Sequence, residues 1–274
     1  MPLSAFSDAT REWFTAAFAE PTPAQQQAWP AISAGGHVLL SAPTGSGKTL
    51  AAFLWGIDRL ASDPTPADDP HTRIVYVSPL KALSYDVERN LRAPLQGIAG
   101  RTGAAPDISV ALRTGDTTQA ERARMRRRPP DILITTPESL YLMLTSQARE
   151  TLTRVEAVIV DEIHAVASTK RGAHVALTLE RLQAGQEDDT REIQRIGLSA
   201  TQNPLEEVGR FLAGPRREVT IVDAGIRKPL DLKILVPVES MVEPDAVAPD
   251  HAIEALGGTG SEGTRRSIWP AMYP

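Results

Sequence analysis

The chain of 274 residues has no cysteine, which excludes a disulfide framework, thiolate metal sites and a cysteine nucleophile. It has no apolar run approaching the ~20 residues that span a bilayer, so no membrane partner is expected. The opening residues MPLSAFSDATREWF lack the basic and apolar regions of a secretory signal, and a cytoplasmic location is expected. An excess of positive charge is also missing. Lys and Arg number 29 against 34 Asp and Glu, for a formal net charge of −5, which read naively argues against a nucleic-acid partner. That charge is unevenly spread. Residues 237–264 carry Glu239, Glu243, Asp245, Asp250, Glu254 and Glu262 with no Lys or Arg, and the remainder of the chain is close to neutral. Net charge therefore excludes nothing here. What is present, 42% apolar and 23% charged residues, is the balance of an ordinary globular protein long enough to bury a core.

Short apolar runs alternate with helix-length segments. The strand candidates are 37–41, 73–78, 107–112, 131–135, 155–160, 192–198 and 218–222; helices are expected over 48–61, 80–96, 117–128, 137–145, 172–184 and 204–213. Several of the strands are continuously apolar, as strands covered on both faces are. The pattern predicts an α/β fold: a central, mostly parallel sheet with helices on both faces and functional loops at the strands' carboxyl ends. Pro237, Pro244, Pro249 and the Gly257–Gly260 cluster mark 233–266 as a linker or insertion, dividing the chain into a body (1–232), the linker and a short end (267–274).

The first strand runs directly into Ala42-Pro43-Thr44-Gly45-Ser46-Gly47-Lys48-Thr49, which opens a helix. Gly45 and Gly47 let backbone N–H groups converge on phosphate oxygens, and the helix start favours an anion. Lys48 suits the β- and γ-phosphates and the Thr49 hydroxyl suits Mg²⁺, so the pattern is that of an ATP-binding P-loop. A P-loop enzyme needs acidic groups for the metal and the attacking water. Asp161-Glu162-Ile163-His164 follows the apolar run 155–160. There Asp161 is the expected Mg²⁺ holder, and Glu162 the group that orients or deprotonates water.

These motifs, with Ser199-Ala200-Thr201 and Pro21-Thr22-Pro23-Ala24-Gln25, resemble the superfamily 2 helicases over nearly the whole chain. Ser78-Pro79-Leu80-Lys81-Ala82-Leu83, Arg113-Thr114-Gly115-Asp116-Thr117 and Thr135-Thr136-Pro137-Glu138-Ser139-Leu140 look most like the large helicase-related (Lhr) family, ATP-driven 3′-to-5′ DNA helicases linked to repair. Ski2-like RNA helicases are the nearest confusable relatives. The resemblance implies the first RecA-like lobe of such a motor, with Thr44 to Thr49 around the phosphates and Lys48 and Glu162 as the catalytic pair. It implies that Gln25 reads the adenine edge, while Trp13, Phe14 and Phe18 are all open as the base-stacking aromatic. It also implies that His164 links the ATP site to the Ser-Ala-Thr motif, answered by the hydroxyls of Ser199 and Thr201.

Pro79–Leu83 and Thr136–Leu140 each follow a strand and start a helix, Thr136 as N-cap and Pro137 at the first helical position. Such helix starts suit phosphates of a nucleic acid, with Pro79, Lys81, Arg113, Gly115, Thr136 and Pro137 as candidates and single-stranded DNA or a DNA/RNA hybrid as the partner. The run Arg122–Arg128 reads equally as a clamp or a solvated helix end, and His37, His71, His174 and His251 lack metal-ligand spacing. After Leu232 no second RecA-like lobe is expected, so the arginine fingers must come from a lobe outside this chain, and the chain alone should hydrolyse ATP weakly. A DEAD/DEAH RNA helicase lobe and a stand-alone ATP-switched nucleic-acid binding module are the alternatives.

Overall fold

In a computed structural model the described residues are 2–101, 108–188, 190–200 and 203–225. Seven parallel strands form one sheet: β1 (His37–Ser41), β2 (Ile74–Val77), β3 (Val110–Arg113), β4 (Ile132–Thr135), β5 (Ala157–Val160), β6 (Gln194–Ser199) and β7 (Val219–Asp223), in the order β3-β4-β2-β5-β6-β1-β7. The connections are helical: α1 (Asp8–Ala17), α2 (Pro23–Ser33), α3 (Lys48–Ser62), α4 (Lys81–Ala99), α5 (Gln119–Arg127), α6 (Pro137–Leu144), α7 (His164–Ala167), α8 (Lys170–Ala184) and α9 (Leu205–Ala213).

Alternation along each strand splits the core in two. Val38, Leu40, Ile74, Tyr76, Ile132, Ile134, Ile196 and Leu198 share one apolar cluster with residues of α1 to α4. Leu39, Val75, Val77, Leu133, Val158 and Val160 share the other with residues of α6, α8 and α9. Strands that bury both faces have no polar alternation to display, which is why they read as apolar runs.

Apart from β1, which begins at His37 as expected, the strands begin later than the apolar runs do, where other hydrogen bonds intercept the first backbone groups. Ser109 N–H and Oγ both donate to Asp131 Oδ2, at 2.8 and 2.6 Å, so β3 starts at Val110, while residue 107 of the expected strand lies outside the described residues. Before β5, Glu156 N–H bonds the Arg73 carbonyl, while its carboxylate accepts from Arg73 and Arg59 and pairs with Arg191. α2 lies outside the helices expected from the sequence, and Pro30 stands inside it. Pro23 instead occupies the first turn, where no N–H is needed, and Thr22 with Gln25 forms a capping box. The boundaries expected at 232/233 and 266/267 lie outside the described residues.

Candidate nucleotide and nucleic-acid site

Because the sheet is parallel, all its carboxyl ends open at one edge, and the order β5-β6-β1 brings three motifs side by side. The Ala42 N–H bonds the Ser199 carbonyl (3.1 Å) and the Ile163 N–H bonds the Leu198 carbonyl (3.0 Å). The P-loop turns between β1 and α3 through two left-handed glycines, Gly45 (φ +79°) and Gly47 (φ +82°). Lys48 Nζ donates to the carbonyls of Ala42 (2.6 Å) and Pro43 (2.9 Å), folded back onto its own loop. Burial lowers its pKa, against the pull of Glu162 and Asp161. The Ser46 hydroxyl is buried with no hydrogen-bond partner among the described residues. A cavity of about 520 Å³ is lined by Thr44, Gly45, Gly47, Lys48 and Thr49, and also by Asp161, Glu162 and Phe18.

Gln25, expected at the adenine edge, packs behind the P-loop. It is 4% exposed; its Oε1 accepts from the Thr22 N–H (3.0 Å) and its Nε2 donates to the Gly47 carbonyl (3.5 Å). Thr22 Oγ1 donates to the Ser46 carbonyl (2.7 Å). The Pro-Thr-Pro-Ala-Gln segment here supports the P-loop from behind, and contact with an adenine edge would require the Gln25 amide to leave its capping box. Of the three upstream aromatics, Phe14 is 1% exposed and packed in the core, whereas Trp13, 7% exposed, and Phe18, 42% exposed, both line the cavity. Trp13 meets Phe18 edge-on at 5.9 Å, and Phe14 lies tilted against Phe18 at 4.9 Å.

Asp161 and Glu162 follow β5 at the cavity wall. Asp161 Oδ1 accepts from the Glu162 N–H (2.9 Å) and Oδ2 from the Tyr76 hydroxyl. Burial raises the Asp161 pKa, opposed by these bonds and by Lys48. Glu162 holds φ +44°, a left-handed conformation that non-glycine residues adopt at a cost and that recurs where function over-determines the backbone. The donor set fits Mg²⁺: the Thr49 hydroxyl and Asp161 carboxylate are hard oxygens on one cavity. No cluster of three or more His, Asp or Glu exists among the described residues to form a closed cage. An ion satisfied largely by phosphate and water oxygens matches that sparse set.

His164 Nδ1 accepts the Ala200 N–H at 3.2 Å, which puts the proton of the neutral ring on Nε2. Its 3.4 Å approach to Glu162 Oε2 is then a contact between two acceptors unless the ring is protonated. The link to the Ser-Ala-Thr motif thus runs through a backbone amide. The Ser199 hydroxyl is spent on the Ala200 carbonyl (2.7 Å) and does not answer His164, and Thr201 lies outside the described residues.

The other half of the carboxyl edge, β3-β4-β2, carries the loops read as a nucleic-acid face. α4 starts at Lys81 with no side-chain cap, and α6 starts at Pro137 with Thr136 accepting from the Ser139 N–H (3.4 Å). Lys81 pairs with Asp116, tying the Pro79–Leu83 loop to the Arg113–Thr117 loop. Arg122 donates to the Gly115 carbonyl (3.0 Å). Burial and the neighbouring Arg122 lower the Arg113 pKa. At Gly115 an added Cβ would meet nothing within 4 Å, so packing does not demand glycine there. No helix among the described residues is long and apolar enough to cross a membrane.

A family model for DEAD/DEAH box helicases matches residues 22–208, well over half of the chain and every motif placed above except Trp13–Phe18 and Pro21. The chain belongs to the DEAD/DEAH box helicase family. Within that family it is similar to the Lhr enzymes. It is 61% identical over 255 residues to the Lhr helicase/probable uracil glycosylase of Mycolicibacterium smegmatis, covering 91% of this chain and 17% of that protein. It is 50% identical over 277 residues to the Escherichia coli Lhr helicase/uracil glycosylase, covering 97% of this chain and 17% of the relative. The solved structure of Mycobacterium smegmatis helicase Lhr bound to ssDNA and AMP-PNP superposes with a TM-score of 0.76 at 62% identity, over 82% of this chain and 28% of that one. The chain thus spans about a sixth of the length of these curated relatives. The fold is a RecA-like helicase domain.

Two residues of this helicase domain escaped sequence reasoning. Arg171 donates to both Glu138 carboxylate oxygens (2.5 and 3.0 Å) and to the Pro79 carbonyl (2.6 Å), joining two of the candidate nucleic-acid loops. It can do so because Gly172 lets α8 approach α7: a Cβ there would lie 2.1 Å from the Val166 carbonyl oxygen. Tyr76 sits inside an apolar strand, and nothing in its pattern separates it from a packing residue. Only the contact map reveals either.

Proposed function

We propose that this chain is the ATP-binding lobe of a DNA helicase that couples ATP hydrolysis to 3′-to-5′ movement on single-stranded DNA, in DNA repair. The observation that carries the reading is the convergence of the P-loop, Asp161-Glu162 and Ser199-Ala200 on three adjacent strands beside one cavity. The 62% identical neighbour, bound to ssDNA and AMP-PNP, supports the choice of nucleotide and strand.

In this reading Gly45 to Thr49 cradle the phosphates, and Lys48 exchanges the Ala42 and Pro43 carbonyls for phosphate oxygens. Phe18 offers its open face to the base. Thr49 and Asp161 would hold Mg²⁺, which supplies charge neutralisation on the phosphates. Glu162 takes the proton of a water whose oxygen bonds the γ-phosphorus as the bond to the β-phosphate oxygen breaks, releasing ADP and phosphate. His164 carries the state of Glu162 to the Ala200 amide. Pro79, Lys81, Arg113, Gly115, Thr136 and Pro137 contact the sugar-phosphate backbone without reading bases, as a motor requires. A second RecA-like lobe supplies arginine fingers, so the isolated chain should bind Mg²⁺–ATP weakly and turn it over little.

The test uses the intact protein with its second RecA-like lobe, a fluorescent ATP analogue and steady-state hydrolysis, with single-stranded DNA and RNA of one sequence at several salt concentrations. Lys48→Ala should lose nucleotide affinity, whereas Glu162→Gln should keep affinity and lose turnover. Normal hydrolysis by Glu162→Gln would remove the base assignment. Equal stimulation by RNA would favour an RNA helicase lobe.

A further inference from the structure

Tyr76 is a fully buried side chain on the central strand β2, beside β5, where it is paired in register with Ile159. Its ring stacks on Phe53 of α3 with centroids 4.7 Å apart and planes 28° from parallel. A phenylalanine would fill the same space and make the same stack. The hydroxyl is therefore superfluous to packing, and burying it is unfavourable unless it is hydrogen-bonded. Its bond goes to Asp161 Oδ2, while Asp161 Oδ1 accepts from the Glu162 N–H. Each carboxylate oxygen thus holds one donor, on a side chain 5% exposed, and the rotation of the carboxylate is determined from both ends. Because the Tyr76 ring rests on Phe53, the same side chain bridges the P-loop helix to the strand that carries Asp161.

We propose that Tyr76 is a positioning residue for Mg²⁺: its hydroxyl fixes the Asp161 carboxylate so that the remaining lone pairs meet the ion or its water. The proposal rests on the reading of Asp161 as the residue that faces Mg²⁺–nucleotide. Partners of metal-facing ligands typically contribute 10- to 100-fold to metal affinity.

The experiment uses the 274-residue chain and a fluorescent ATP analogue, titrated with Mg²⁺ from an EDTA baseline. Tyr76→Phe should bind the nucleotide in EDTA within twofold of the unaltered chain. It should need about tenfold more Mg²⁺ to reach the same tightening. A merely structural role for Tyr76 would weaken both conditions alike or neither. Asp161→Asn should lose the Mg²⁺ effect. If it does and Tyr76→Phe titrates like the unaltered chain, the Tyr76 proposal is overturned and the Asp161 reading stands. If Asp161→Asn keeps the full Mg²⁺ effect, the Asp161 reading fails and the proposal with it. A measurement on the unaltered side chain guards against misfolding of the variant. With ¹³Cζ-labelled tyrosine, and Tyr85, Tyr141 and Tyr273 changed to Phe, the resonance of Tyr76 should shift when Mg²⁺ joins the nucleotide-bound chain. An unmoved resonance contradicts the proposal.

Discussion

Gly45→Ala and Gly47→Ala place the same methyl group on two left-handed positions of one loop, at φ +79° and φ +82°, yet they should not have the same effect. Holding alanine in the left-handed region costs about 1–2 kcal/mol. Stiffening the unfolded chain returns about 0.4–1 kcal/mol, leaving a net loss near 1 kcal/mol for strain alone. At Gly45 the added Cβ meets nothing within 4 Å among the described residues, so that is the whole effect. At Gly47 it would lie 2.6 Å from Gln25 Nε2 and 3.5 Å from Thr22 Oγ1. The Gln25 amide must then leave the capping box of α2, and loss of a cap adds about 1 kcal/mol. Gly47→Ala should thus be less stable than Gly45→Ala by about 1 kcal/mol. Urea unfolding measures this as a lower midpoint at unchanged slope. Gln25→Ala introduced into each background separates the contributions: it should cost stability beside Gly45→Ala and almost none beside Gly47→Ala, where the cap is already gone. Equal losses for the two glycines, or full additivity with Gln25→Ala, would refute the claim that Gln25 braces the P-loop.

Arg171→Ala should release the Pro79 and Glu138 loops, weakening single-stranded DNA binding several-fold with nucleotide affinity unchanged; parallel binding titrations of the two ligands check this. Glu156 is buried, which pushes its pKa up, but the hydrogen bonds from Arg73 and Arg59 outweigh that and hold it below the usual carboxylate range. Its stabilisation is therefore complete above the ordinary glutamate pKa and is lost as pH falls through the depressed value. Glu156→Gln should flatten that acid limb in a series of thermal melts, and an unchanged limb would reassign it to another carboxylate. Glu162→Gly should unfold at a higher temperature than Glu162→Ala, by a difference equivalent to about 1 kcal/mol, because only glycine relaxes at φ +44°.

Much of the candidate site is legible in the chain because it depends on local geometry. Gly45, Gly47 and Lys48 sit where a strand meets a helix, and the Asp161-Glu162 pair ends an apolar run. The parallel architecture is equally local in origin, since strands such as Ile74–Val77 and Ile132–Thr135 have no polar face to offer. The missed helix α2 shows the reverse case. Its prolines act as breakers only if placed mid-helix without support, and Pro23 gains a favourable position solely because Thr22 caps it.

Residue types, their spacing and the strand-to-helix turns were determined by the sequence alone, because steric freedom at glycine and apolar periodicity do not depend on distant neighbours. Which residue touches which was decided by the tertiary structure. The strand order puts β6 between β5 and β1, so that the Ala200 amide meets His164, and puts β2 beside β5, so that Tyr76 meets Asp161 across a sequence separation of 85 residues. Gln25 likewise carries an amide that suits an adenine edge by composition, yet close packing behind Gly47 turns that amide to the loop it supports. Of Trp13, Phe14 and Phe18, all equal as letters, burial takes Phe14 out of reach and leaves Trp13 and Phe18 at the cavity, Phe18 the more exposed of the two.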